Sequence, residues 1–280
     1  MHVFMIVAAL GLAWWLRGRW SYPQGSWSRR WRATLSLFLF PPLLLIMTAF
    51  SVLSMGPQGQ MIGLQAGWFS YLLALGFLLF CFVSCLLLAW SGWRSVLQTR
   101  TYPQQDFGGR PGRLLDTPVL FSANIGFWQP EVVVSQGLLN TLAPAHLEAV
   151  IAHEQAHYYY RDTFWFFWLG WVRSCTAWLP NTEALWQELL LLRELRADRW
   201  AAQRVDPLLL AESLLMVVSY PMMLSENLCA AFSAVAQRNR LTERIEALLA
   251  KSESSPKQLW WSWTWLLLAF LPLIAVPFHS

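Results

Sequence analysis

Apolar positions in this chain fall in long unbroken blocks, not in the alternating or 3.6-residue patterns of soluble strands and helices. Val3 to Leu16, Ala33 to Met55, Trp68 to Trp90 and Gln258 to Phe278 approach the ~20 apolar residues that a bilayer-spanning helix needs. The first block is short, but it lacks a basic leading region and runs into "WWLRGRW" instead of a small-residue cleavage site, so it reads as a retained anchor. A further block, "TFWFFWLGWVRSCTAWLP" over 163–180, is interrupted by Gly170 and Arg173 and is expected to be a re-entrant or interfacial helix, a crossing being the alternative.

Elsewhere the pattern shortens. The Gly, Pro and polar content of 98–118 marks a connector, and two β-type runs follow, "PVLFSA" and the Val-rich "PEVVVSQ". Helical spacing then takes over in "APAHLEAVIAHEQAHYYYRD", with Pro144 in its first turn. A second helix is expected from Asn181 to the stop at Asp206-Pro207, and others over 207–224 and 239–250. The expected organisation is a three-span membrane region (1–93), a linker (94–117), an α+β domain (118–257) and a C-terminal transmembrane helix (258–280). The fold class is a mainly α membrane protein with about four transmembrane helices.

Composition agrees: the 280 residues are 56% hydrophobic and 13% charged, with 19 Trp, several placed where interfacial aromatic belts belong. The net charge of +4 sits in Arg clusters beside the apolar blocks, which the positive-inside rule explains and which gives no basic face for nucleic acid. Arg17, Arg19, Arg29, Arg30 and Arg32 lie between the first two blocks, whereas "GPQGQMIGLQAG" between the next two has no charge. The first loop and the region from about 94 to 257 are therefore expected on the cytoplasmic side of a multi-pass bacterial inner-membrane protein. Cys81, Cys85, Cys175 and Cys229 lack a framework spacing and read as reduced packing residues.

The chemistry lies in "IAHEQAHYYYRD". His153 and His157, at i and i+4, share one helix face and can converge on one ion, with Glu154 beside its open side. That is the donor set of a zinc peptidase, in which the metal polarises the scissile carbonyl and Glu154 acts as general base. Catalytic zinc usually has three protein ligands. The downstream "RELRAD" supplies Glu194 as the third and Asp198, on the same face, as the acceptor that orients a ligating His. Glu194 can join the histidines only if 163–180 does not cross the membrane once. His146, Asp162 and the Tyr158–Tyr160 run read as structural or site-lining.

"FSANIGFWQPEVVVSQGLLNTLAPAHLEAVIAHEQAHYYYRD", followed by "RELRAD" and "RNRLTERIEAL", resembles the BlaR/MecR-type membrane zinc metallopeptidases, and in outline their HtpX-type relatives. The resemblance covers about 115–250. It implies a gluzincin-like, zincin-type α+β metalloprotease domain holding one Zn2+ per chain through His153, His157 and Glu194, with Glu154 catalytic and Asp198 behind a ligand. It also implies that "PEVVVS" is an edge strand whose Val132, Val133 and Val134 bind substrate backbone by strand addition. With no penicillin-binding sensor after the last span, direct β-lactam sensing is not expected. Expected partners are the lipid bilayer and a protein substrate, either a cytoplasmic repressor or a membrane protein. The alternative is a proteolytically inactive scaffold or signal transducer that keeps the fold.

Overall fold

In the computed structural model, which describes residues 2–22, 25–57, 60–61, 64–65, 67–107, 109, 111–222, 240–250 and 264–278, the first three apolar blocks are helices. They are α1 (His2–Gly18), α2 (Trp27–Met55) and α3 (Trp68–Arg100), with a two-residue antiparallel ladder, β1 (Gln60–Met61) and β2 (Leu64–Gln65), between the last two. α2 and α3 are long and apolar enough to span a membrane, and only 11% of the apolar window of α3 is buried, so that helix needs a cover such as lipid. The expected fourth span lies partly outside the described residues. Its described part is a 3-10 helix (Thr264–Phe270), an α-turn (Leu271–Ile274) and a second 3-10 turn (Val276–Phe278), interrupted by Pro272 and Pro277. Cys229 and the basic residues Lys251 and Lys257 fall outside the described residues.

The chain divides into two compact units. The first comprises 1–88, 168–190 and 254–280, and the second 89–167 and 191–253. Within the first, α2 carries Pro41 and Pro42 in its interior. Pro42 has no N–H for the carbonyl of Phe38 one turn earlier. The fully buried Arg17 meets that need: its Nη2 donates to Phe38 O at 3.1 Å, and its Nη1 donates to Thr182 Oγ1 at 3.0 Å. Asn181 stands at the N-cap position expected of it, its carbonyl accepting from Leu185 N at 2.9 Å, but in a left-handed conformation (φ 56°), and its side chain donates to Arg17 O at 2.8 Å instead of capping the helix.

The second unit holds a four-stranded sheet with order β3-β4-β6-β5, from β3 (Gln104–Asp106), β4 (Pro111–Leu115), β5 (Ser122–Ile125) and β6 (Glu131–Ser135). β4 and β6 run parallel, and the outer pairs are antiparallel. Two expectations are corrected here. Residues 94–117 are not a linker: α3 continues to Arg100, and β3 and β4 follow, because the polar "YPQQDFGGRPGRLL" supplies edge pairing and a turn instead of slack. β6 is not an edge strand either. It is paired on both sides, so the backbone of Val132, Val133 and Val134 has no free ladder, and Val133 and Val134 are fully buried. Gly112 lets β4 approach so closely, since a Cβ there would lie 2.6 Å from Val132.

Ser135 ends β6 and starts α4 (Gln136–Thr141): its hydroxyl accepts from Leu138 N at 3.1 Å, as an N-cap, and from Phe121 N at 3.0 Å. α5 (Pro144–Tyr159) then begins with proline at its first turn, and α6 (Asp162–Cys175), α7 (Thr182–Ala201) and α8 (Pro207–Met222) follow. α6 has 14 residues, fewer than the ~20 that a crossing requires. A helical stretch over 240–249 closes the described part of this unit. α5 is buried on two sides. Val150 and Ile151 pack with Phe107, Leu120, Val134 and Leu138 toward the sheet, while Ala149 and Ala152 pack with Ala201, Leu210, Leu214 and Leu241. The small Ala149, Ala152 and Ala201 side chains allow the close helix approach that the site requires.

Candidate metal centre

α5 presents His153 and His157 one turn apart, their rings edge to face with centroids 4.7 Å apart and their Nε2 atoms 3.1 Å apart. From α7, Glu194 places Oε2 at 3.2 Å from His153 Nε2 and Oε1 at 3.7 Å from His157 Nε2. One donor atom from each of the three residues lies within 4.8 Å of the others. Two imidazoles and a carboxylate thus meet as the spacing anticipated.

The donor set fits zinc. Tetrahedral zinc with N and O ligands near 2.0–2.2 Å has ligand-to-ligand edges of roughly 3.3 Å, the spacing found between these three side chains. Charge fits as well. Asp162, Glu194 and Asp198 pair with the guanidinium groups of Arg193, Arg196 and Arg244, and Glu154 adds a fourth carboxylate that is in none of these pairs. In the absence of a cation that imbalance falls on the histidines. Burial disfavours the His153 imidazolium, but Asp198 and Glu194 outweigh it and raise its pKa to about 9, and His157 is raised in the same sense by Asp162 and Glu194. Burial also works against the carboxylates, yet His153, His157 and Arg244 hold Glu194 well below the usual range, and Arg244 and His153 lower Asp198. The cluster is built to hold positive charge.

Each histidine is oriented by a carboxylate behind it. Asp198 Oδ1 lies 2.8 Å from His153 Nδ1, as its spacing from Glu194 suggested. Asp162, read from the sequence as structural, performs the same service for His157, with Oδ2 2.7 Å from Nδ1. It reaches back because Arg161 takes a left-handed turn (φ 53°) between α5 and α6, a conformation that costs a non-glycine residue energy and recurs at functional sites. Arg196 pairs with the other Asp162 oxygen and lies 4.1 Å from the Tyr160 ring centroid. Asp162→Asn keeps the shape but removes the charge behind His157. It is expected to lower zinc affinity by about 10–100-fold, measured by competition with a chromophoric chelator. Unchanged affinity would confine Asp162 to closing the helix junction.

Arg244, on the stretch 240–249, was missed as a site residue. It donates to both Asp198 oxygens, Nε to Oδ2 at 2.7 Å and Nη2 to Oδ1 at 2.8 Å, and its Nη1 lies 3.4 Å from Glu194 Oε2. Glu154 is held from β5. Ser122 Oγ donates to its Oε1 at 2.9 Å, and Asn124 Nδ2 donates to its Oε2 and to its backbone oxygen, each at 2.8 Å. The Glu154 carboxylate is thereby fixed where it lines a cavity of about 510 Å³. β5, not β6, is the sheet edge on this side, with one ladder already paired to β6 and the other free of strand partners among the described residues.

A paired-histidine helix, a carboxylate helix and a short sheet whose edge strand holds the motif glutamate together make a site able to hold a metal ion beside a free carboxylate. The comparison with known families agrees: residues 116–190 match the model of Peptidase family M48, a span containing β5, β6 and the H-E-x-x-H but ending before Glu194. That match supports an M48-type zinc metallopeptidase. No curated protein and no solved structure matches the chain.

Proposed function

We propose that this protein is an integral-membrane, zinc-dependent endopeptidase whose catalytic unit faces the cytoplasm and cleaves a protein substrate, either a regulatory repressor or a membrane protein. The observation that carries the reading is the convergence of His153, His157 and Glu194 donors within 4.8 Å beside Glu154. Zinc, when bound, supplies the Lewis acidity that polarises a carbonyl and makes water acidic. Glu154 takes the proton from the attacking water and returns it to the leaving amine, while Ser122 and Asn124 keep its carboxylate aimed. Asp162 and Asp198 hold the two imidazoles in the tautomer that leaves Nε2 free for the metal. The two long apolar helices and the Arg-rich first loop support the membrane setting and its orientation.

Detergent-purified protein is expected to contain about one zinc per chain and to cleave β-casein. Chelation should stop cleavage and added zinc should restore it. Zinc-free protein after careful handling, or cleavage indifferent to chelation, would overturn the reading in favour of a scaffold that retains the fold.

A further inference from the structure

The cavity on which Glu154 opens is larger than the chemistry of one peptide bond requires. Its walls come from four strands' worth of sheet and from α5: Asn124 of β5, Glu131 and Val132 of β6, Pro111 of β4 and Gln104 of β3 face Ile151, Gln155 and Tyr158. Its floor is apolar, from Phe107, Val132 and Ile151, and Gln104, Asn124, Gln129 and Gln155 line it with uncharged carboxamides. The side chains of Gln104, Gln129 and Gln155 make no hydrogen bond among the described residues, so their donors and acceptors are available to a guest. Glu131 is neutralised by Arg113. Arg100, at the far wall, has a guanidinium without an ion-pair partner among the described residues.

We infer that this cavity is an extended substrate channel in which the carboxamides bind peptide backbone and Arg100 selects an acidic side chain. The inference rests on the peptidase reading and names its substrate class: an extended peptide segment carrying Asp or Glu away from the cleaved bond. Strands lie about 4.8 Å apart, so the two to three strand spacings from β5 to the Arg100 wall cover roughly 10–14 Å. At about 3.3 Å per residue of extended chain, that places the selected acid three or four residues from the scissile bond. The guanidinium fork of the exposed Arg100 suits a carboxylate.

Zinc-loaded full-length protein is used to map β-casein cleavage by mass spectrometry, and synthetic peptides are built on the most-cut site. Glu, Gln or Lys is placed in turn three and four residues to either side of the cut. At one of these positions kcat/KM is expected to be at least tenfold higher for Glu than for Lys, with Gln between. Arg100→Glu should reverse the order while its zinc content stays at the wild-type value. Fluorescence anisotropy of the labelled Glu peptide on the Glu154→Gln protein should show the same discrimination without turnover. Equal rates for all three peptides, or a wild-type preference retained by zinc-replete Arg100→Glu, overturns the channel but leaves the peptidase standing. Wild-type protein that holds zinc yet cuts neither casein nor any peptide overturns the peptidase reading and the channel with it.

Discussion

Glu154→Gln is expected to reduce β-casein cleavage by roughly 10²–10⁴-fold, the contribution of a positioned general base, with zinc content unchanged. The substitution is close to isosteric. Ser122 can still donate to the amide oxygen, Asn124 keeps its bond to the residue-154 backbone oxygen, and only the Asn124 bond to Oε2 loses its acceptor. The structural cost is therefore about one hydrogen bond to a charged acceptor, roughly 1.5–3 kcal/mol, and it falls on the β5 contact and not on the histidines. What disappears is the only carboxylate among the site groups that is tied neither to a histidine nor to a guanidinium by a direct contact. Turnover within threefold of wild type in a zinc-replete preparation would sink the proposed mechanism.

Glu194→Ala is expected to act one step earlier, by emptying the site. Two imidazoles remain, and the catalytic zinc pattern of three protein ligands is broken, so the loss of affinity should exceed the roughly 10–100-fold that removal of an outer partner costs. The change also leaves Arg193 and the Nη1 edge of Arg244 without the carboxylate they share, which adds positive charge next to the histidines and further opposes a cation. Mass-spectrometric metal content at a fixed chelator concentration reads this directly. Wild-type zinc in Glu194→Ala would remove Glu194 from the ligand set and direct attention to Asp198 or Asp162.

Residues whose roles depend on local spacing were legible in the sequence. His153, Glu154 and His157 declare themselves because 3.6 residues per turn fixes which side chains share a face, and Glu194 and Asp198 follow from the same rule on a second helix. Position within a sheet was not legible. Val content marks "EVVVS" as a strand, but a buried centre and an edge have similar composition, and the neighbour that buries it, "PGRLL", carries only two apolar side chains beyond its proline and glycine. Ser122 and Asn124 stayed hidden because their partner lies 30 or more residues away along the chain. Asp162 was passed over for another reason: five residues from His157 it would leave the face of a continuous helix, and only the left-handed Arg161 brings it back. Arg244 belongs to a segment noticed for its resemblance, whose charge finds its use only in the folded unit.

The Arg244 contact bears on biosynthesis. A growing chain acquires both histidines by residue 157 and both α7 carboxylates by residue 198, but the cation that Asp198 and Glu194 share arrives 46 residues after Asp198. Breaking a buried pair by removing one partner costs about 3–5 kcal/mol, so a nascent chain released before that point carries an unbalanced centre. The charge balance of the hydrolytic apparatus is thus completed by the last helical stretch of its own unit, which delays competence until synthesis of that unit is nearly finished.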